Sequence, residues 1–342
     1  MQNGTGLLCK GAGSGKKARD MPTFSHIPVS NIALDDEAFV VTYRPQMQRL
    51  LDSVACVGVL TPLHVRRPAE SAPLQLVAGS KRLRAARQAG QATVPALVHE
   101  ADELSEHRAF LLAVHDNLAC RPFNAVEKAR VLRRLRRDFQ YPDDALTEQF
   151  CPLMDLPPRS DTLQAYCTLA TLDDALQAAT VENALPVDVA VWVGGLDIAD
   201  QQAMLPLFAG LQLGSNRAQE CATYIDEVCQ RDACSAAALV ERLDIPALLA
   251  DPQRSGPQKR EAVRHVLRQA RYPQLTAHEQ RYREAARRLR LPPAISLRPP
   301  PYFESRQYQV SFSFSQRREL RHAAQRLLDA ADSDAMNDLF DL

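Results

Sequence analysis

The chain has 342 residues, 46% of them hydrophobic and 24% charged, with 41 basic and 41 acidic side chains. That length predicts more than one domain. No apolar run approaches the roughly 20 residues that cross a bilayer, and the N-terminus lacks a signal-peptide core, so a cytoplasmic chain with no membrane partner is expected. Zero net charge decides nothing about nucleic acid, because distribution matters more than the sum. Arginines cluster in 81–87, 130–137 and 281–290, and the last fourteen residues are acidic. The eight cysteines contain no C-x-x-C pair and no zinc-like spacing.

In chain order, residues 1–22 read as a flexible tail. Its GAGSGKK segment looks like a phosphate loop, but Lys10 stands where the first glycine belongs and Lys17 where Ser or Thr belongs. Lys16, Lys17 and Arg19 are therefore expected on a basic tail. His26–Val29 reads as extended. A helix is predicted to open at Arg44-Pro45, carry Met47, Leu50, Leu51, Val54 and Val57 on one face, and stop at Gly58. Strands over 62–66, 74–78 and 94–98, with a helix over 81–89, complete a small mixed α/β unit. After 103 the strand signals vanish and helices alternate with short loops to about 290. Asn124-Ala125-Val126-Glu127 is a capping box. Further helix starts are predicted at Asp143, Ser160, Asp197, Ser215 and Ser235, and Pro186 suits a first turn. LPPAISLRPPP, from 291, reads as a proline-rich linker. Residues 307–315 alternate as a half-buried strand with Tyr308, Val310, Phe312 and Phe314 on one face. Arg317–Leu328 returns to helical spacing, and an acidic frayed end follows.

Three segments carry chemistry. Gly79-Ser80-Lys81-Arg82-Leu83-Arg84 lies between a strand and a helix. Cations at a helix N-terminus are unfavourable by themselves, so either a bound anion relieves the conflict or the side chains turn to solvent. Arg130, Arg133, Arg134 and Arg137 form a stripe at i, i+3, i+4, i+7 with no acidic residue interleaved, a face that suits a phosphate backbone or plain solvent. Residues 145–150 and a helix capped by Ser160 resemble a helix-turn-helix with a long loop. Thr162, Gln164 and Thr168 would be its exposed polar residues toward DNA. Two core helices of a bundle would show the same pattern.

Several motifs together resemble the ParB family of chromosome and plasmid partition proteins. Gly58-Val59-Leu60-Thr61-Pro62-Leu63-His64-Val65-Arg66 is similar to its G-[IL]-[LQ]-x-P-[LI]-x-V-R segment. Gly79-Ser80-Lys81-Arg82-Leu83-Arg84-Ala85-Ala86 is similar to G-E-R-R-x-R-A-A, and Thr93-Val94-Pro95-Ala96 to its T-[VI]-P-[AV] strand. Asp116-Asn117-Leu118 with Phe123–Ala129 is similar to E-N-[LI]-Q-R-x-x-L-N-P-[IL]-E-x-A. The resemblance runs from 26 to about 225, with a fainter echo at the C-terminus. It implies an α+β multidomain fold: a mixed α/β ParB/sulfiredoxin-like N-terminal domain, an all-helical middle with a helix-turn-helix, and a short C-terminal strand–helix element. The implied segments are 23–120 for nucleotide binding, 121–235 for DNA, 236–290 as a helical region, and 291–342 as linker and dimerisation element.

The resemblance further implies CTP and Mg²⁺ as cofactors. Gly79, Ser80, Lys81 and Arg82 would meet the triphosphate, Thr61 and Pro62 the base and ribose, and Asp116 and Asn117 the phosphates and metal. Arg130, Arg133, Arg134, Arg137, Thr162, Gln164 and Thr168 would face double-stranded DNA. It implies a homodimer closing as a clamp, a ParA-type ATPase as a possible partner and a nucleoid-associated location. The departures are specific. Ser80 replaces a glutamate associated with hydrolysis, Asp116 shortens an acid, and Ala119 and Cys120 stand where Gln and Arg are usual, with Arg121 one residue along. Slow or absent turnover is expected. Two other readings stay open. A sulfiredoxin-fold enzyme, nuclease or kinase-like, would need a cysteine at the turn or a carboxylate cluster. An adaptor would keep the fold without DNA or nucleotide.

Overall fold

The computed structural model describes residues 22–33, 36–305 and 307–340. The basic tail with Lys16, Lys17 and Arg19 lies outside them. The chain divides into two compact units, the first ending at Val181 and the second starting at Glu182.

The first unit is built on a mixed sheet of five strands: β1 (Thr23–Pro28), β2 (Ile32–Ala33), β3 (Leu63–Arg67), β4 (Leu74–Ala78) and β5 (Thr93–Glu100). Their order is β1-β5-β3-β4-β2. β3 runs parallel to β5 and antiparallel to β4. Side chains alternate across a strand, and β4 shows it. Leu76 joins Leu63, Val65, Leu83 and Val94 in one core, while neighbouring Val77 joins Phe39, Phe110 and Leu132 in another. The first core is closed by α1 (Gln48–Val57) and α2 (Ser80–Gln88), the second by α3 (Glu106–Cys120) and α4 (Ala125–Arg137). A short helical stretch, α5 (Asp143–Ala145), a π turn (Leu146–Phe150) and α6 (Cys151–Leu153), leads to α7 (Ser160–Leu169) and α8 (Asp174–Val181). Both α7 and α8 pack on α4.

The second unit is helical: α9 (Val187–Gly194), α10 (Ile198–Leu211), α11 (Ser215–Asp232), α12 (Ala236–Arg242), α13 (Ile245–Ala250), α14 (Gly256–Arg271) and α15 (Pro273–Arg288). It ends in a two-stranded antiparallel ribbon, β6 (Ile295–Arg298) with β7 (Gln309–Phe312), and in α16 (Arg317–Ala331) and α17 (Asp334–Phe340).

Several boundaries differ from the sequence reading for local reasons. α1 begins at Gln48, not at Arg44-Pro45, because Arg44 takes a left-handed backbone (φ 45°) with its guanidinium on Asp174. Gly58 stops the helix as expected, at φ 73° with its N–H on Val54 O. Ser160 is the first residue of α7 rather than its cap, since Arg159 holds the cap position and no side chain bonds the free amides. Gly214 precedes α11 where Ser215 was expected to cap, and Pro186 sits just outside α9. Ser235 does cap, accepting from Ala238 N. The proline-rich 291–301 segment contains β6, because Ile295 and Leu297 alternate with polar residues between the prolines. The acidic end is not frayed: Leu339 is 1% exposed and its carbonyl accepts from Tyr308 Oη at 2.7 Å. The 307–315 alternation is only partly covered, with Val310 and Phe314 exposed at 43% and 52%.

Candidate nucleotide site and nucleic-acid face

The candidate site grows from the turn between β4 and α2. Gly79 has φ 103°, and a Cβ there would stand 2.4 Å from Leu63 Cδ2, in a leucine with no exposure. Glycine alone satisfies both the left-handed backbone and the close approach. α2 starts at once, with no side-chain cap and no acidic residue in its first turn. Its N-terminal amides and partial positive charge are therefore available to an anion.

The cations behind that turn are held differently from one another. Arg82 folds back across the first motif, donating from Nη1 to Thr61 O (3.0 Å) and Pro62 O (2.8 Å), while its Nη2 lies 3.4 Å from Asp116 Oδ2. Thr61, Pro62, Gly79, Arg82 and Asp116 are thus brought together from three separated stretches of sequence. Lys81 is half-buried, and burial lowers its pKa first, with Arg121 adding to the effect and Glu127 opposing it. Ser80 is the first residue of α2 and half-buried. Asn117 donates from Nδ2 to Ala113 O at 2.8 Å, one turn back in α3.

Arg121 and Glu127 form a feature the sequence reading did not assign to the site. Arg121 makes a two-pronged pair with Glu127 at 2.6 and 2.7 Å. Glu127 is 1% exposed. It also accepts from the backbone of Tyr43 (2.9 Å) and Asn124 (3.0 Å), and the Asn124 side chain completes the capping box of α4. The capping signal was legible; the arginine six residues earlier was not. His64 and His99, on neighbouring strands, were also missed. Their ring nitrogens face each other at 3.1 Å, and burial lowers the pKa of both. Among the described residues no group of three or more His, Cys, Asp or Glu is arranged to hold a metal ion.

The arginine stripe of α4 is not the unscreened face that its spacing suggested, because Asp138 follows the helix. Arg134 lies 4.6 Å from the centre of the Phe110 ring, flanked by Phe39 and Phe139, with Nε 3.3 Å from Asp138. Burial lowers its pKa. Arg137 pairs with the same carboxylate at 2.7 Å. Arg130 stacks 4.5 Å over the Tyr43 ring and donates to Gln177 Oε1. Arg133 has no hydrogen-bond or ion-pair partner among the described residues. On α7, Gln164 is exposed and accepts from Arg136 at 3.3 Å, while Thr162 and Thr168 are half-buried.

Residues 14–115 match the ParB N-terminal domain. The chain is 29% identical over 188 residues to the probable chromosome-partitioning protein ParB of Pseudomonas putida, covering 52% of this chain and 58% of that one. It is 31% identical over 131 residues to the chromosome-partitioning protein ParB of Myxococcus xanthus, covering 38% and 42%. A C-terminally truncated Caulobacter crescentus ParB, solved in complex with the centromeric parS site, aligns with 21% identity over 58% of this chain and 98% of that one, at a TM-score of 0.36. The matches to these two relatives therefore span little more than half of their length at most. With the domain match, the two partition proteins and the ordered motifs around Gly58, Gly79, Thr93 and Asp116 taken together, the N-terminal part of the chain carries a ParB N-terminal domain and is distantly similar to the chromosome-partitioning ParB proteins.

Proposed function

We propose that this chain is a partition-type, sequence-specific DNA-binding protein that acts as a homodimer and is gated by CTP with Mg²⁺. The observation that carries the nucleotide part is the β4–α2 turn: an obligatory glycine, an uncapped helix N-terminus, and Lys81 and Arg82 beside it. That combination suits a polyphosphate far better than solvent, since cations at this end of a helix are otherwise unfavourable. Arg82, already on the carbonyls of Thr61 and Pro62, would link the phosphate turn to the base and ribose region. Asp116 and the free oxygen of Asn117 fit Mg²⁺, which keeps several waters and takes one or two protein oxygens beside phosphate. When bound, the metal would supply charge neutralisation between phosphate oxygens. Ser80 at the family's glutamate position leaves no general base in the turn, so binding without rapid turnover is expected.

The DNA part rests on α4 and α7. The α5–α6 stretch, a loop and α7 would form the helix-turn-helix, with Gln164, Thr162 and Thr168 toward base edges or phosphates. Arg133, which has no hydrogen-bond or ion-pair partner among the described residues, and the exposed Arg137 are the proposed phosphate contacts of the stripe. The exposed Val310 of β7 and Phe314 just after it suit a second copy of the chain, and two copies would present two half-sites. A ParA-type ATPase is a further proposed partner.

The test is equilibrium binding of CTP with Mg²⁺ to the wild type and to Arg82→Ala, followed by sequencing of DNA cross-linked to the protein in cells. Saturable binding weakened roughly 10-fold or more in the variant, and enrichment at a few loci with broad flanks, are the expected results. Equal binding by both proteins would remove the site assignment. Uniform DNA recovery would remove sequence-specific binding.

A further inference from the structure

Cys229 and Cys234 meet in the second unit, at the corner between α11 and α12. Ala233 ends α11 with a left-handed backbone (φ 50°), so the chain doubles back at once. The N–H of Cys234 then donates to Cys229 O at 3.1 Å. This closure brings a side chain in the last turn of a helix against the one just past its end. A backbone bond of that kind keeps the two α-carbons inside the roughly 4.4–6.8 Å that a disulfide spans, and the two thiols interact. The corner is held from both sides. Asp232 takes Arg231 at 2.7 Å and Arg242 at 2.6 Å, and Ser235 caps α12. Cys151, Cys167 and Cys221 are buried, whereas Cys229 and Cys234 are both half-buried and open to a small oxidant.

We propose that Cys229 and Cys234 form a reversible disulfide site, oxidised by hydrogen peroxide, that locks the corner between α11 and α12. The order of attack follows from the surroundings. Burial, with Cys234, Asp200 and Asp226 nearby, raises the pKa of Cys229 and keeps it a thiol. Cys234, in the loop beyond the helix, is therefore the first nucleophile. Its sulfur attacks one peroxide oxygen: an S–O bond forms, the O–O bond breaks, and the other oxygen leaves as water with the thiol proton. The sulfenic acid at Cys234 is then attacked by the Cys229 sulfur. The S–S bond forms, the S–O bond breaks, and hydroxide departs with the Cys229 proton as a second water. Two electrons pass from the two thiols to the peroxide. The second step needs no diffusion, because the closed turn already holds the sulfurs together, so the raised pKa of Cys229 is no obstacle to it. A dithiol reductant restores both thiols by exchange.

The test is peptide mapping of the full chain under non-reducing conditions after a short exposure to hydrogen peroxide. The expected product is a cross-link between Cys229 and Cys234 that dithiothreitol removes, with Cys151, Cys167 and Cys221 still free. Hydrogen–deuterium exchange over residues 229–236 is expected to slow by about 10-fold or more in the oxidised protein. Cys229→Ser should trap Cys234 as a sulfenic acid that dimedone labels, whereas Cys234→Ser should leave Cys229 largely unlabelled at the same dose. Peroxide that leaves both thiols free, or that joins either of them to another cysteine instead, overturns the site. Equal dimedone labelling of the two single variants overturns the order of attack. Unchanged exchange over residues 229–236 with the cross-link in place overturns the lock. Should either serine variant fail to fold, the wild-type cross-link and its exchange decide alone.

Discussion

The two basic clusters of the first unit look alike in sequence and differ in what surrounds them. At the β4–α2 turn, Lys81 and Arg82 sit beside an uncapped helix N-terminus, and Arg82 reaches the Asp116 carboxylate only at the long distance of 3.4 Å. On α4, Arg134 is already enclosed by three phenylalanine rings and Asp138, Arg137 shares that carboxylate, and Arg130 lies on Tyr43. The first cluster is electrostatically incomplete, while much of the second is complete without a ligand. Counting arginines along a helix measures charge. It does not measure how much of that charge remains available to a partner.

The sharpest way to break the first half of this comparison is Gly79→Ala. The new methyl would meet Leu63 at 2.4 Å in a backbone that disfavours any Cβ. Left-handed strain and overpacking together are expected to lower the unfolding free energy by about 2–5 kcal/mol, read as a shifted urea midpoint at constant slope. A loss below about 1 kcal/mol would show that the turn relaxes freely, and the case for a rigid phosphate cradle would weaken.

The second half is tested by two neighbouring arginines. Arg134→Ala removes a half-buried cation stacked on aromatic rings and is expected to cost roughly 1–3 kcal/mol of stability. Arg133→Ala removes a side chain with no partner among the described residues, so stability should stay within about 0.5 kcal/mol. Its DNA affinity should fall evenly across sequences, with the salt dependence losing about one counterion. Reversal of the pair, a stable Arg134→Ala with weakened DNA binding and an unstable Arg133→Ala, would show that the stripe was assigned to the wrong face. Gln164→Ala is smaller in total affinity but different in kind. It should erode the preference between sites more than general binding, and an unchanged preference would withdraw α7 as the reading helix.

Much of the fold was legible because the decisive signals were local. Gly58 and Gly79 end or begin elements through their own backbone, and Asn124 with Glu127 caps α4 within four residues. The rest depended on distant partners. Nothing near Arg134 announces Phe39, and nothing near Tyr43 announces Asp174, 131 residues away. β6 was concealed by flanking prolines, which mark a linker unless a partner strand such as β7 is known. At the site, the glycine turn and the 61–62 segment were found from motif order. The Arg121–Glu127 pair was half-seen, because one carboxylate performs two tasks and only its capping task has a sequence signature.

Tyr43 offers the subtlest probe, because its hydroxyl joins the 42–44 segment to α8 without touching either basic cluster directly. Burial and the hydrogen bond to Asp174 raise its pKa from the ordinary 10.0 to about 12. A raised folded-state pKa means that the stabilisation is complete below the unfolded value and is lost as pH climbs through the folded one. The contribution of Tyr43 should therefore be intact up to about pH 10 and vanish toward pH 12. Asp174 works in the opposite direction. Tyr43 and Arg44 hold its pKa below the ordinary 3.8, so its share is present above that value and lost on further acidification. Tyr43→Phe should remove the alkaline loss and keep part of the acid one, since Arg44 still pairs with Asp174 at 2.7 Å. Tyr224, in the second unit, is also pushed up to about 12. The informative quantity is thus the difference between wild type and variant, followed by urea unfolding across the alkaline range. If that difference stays flat from pH 10.0 to about 12, the Tyr43–Asp174 bond contributes nothing to stability. The link from the 42–44 segment to α8 would then have to run through Arg44 or the Arg130–Gln177 contact instead.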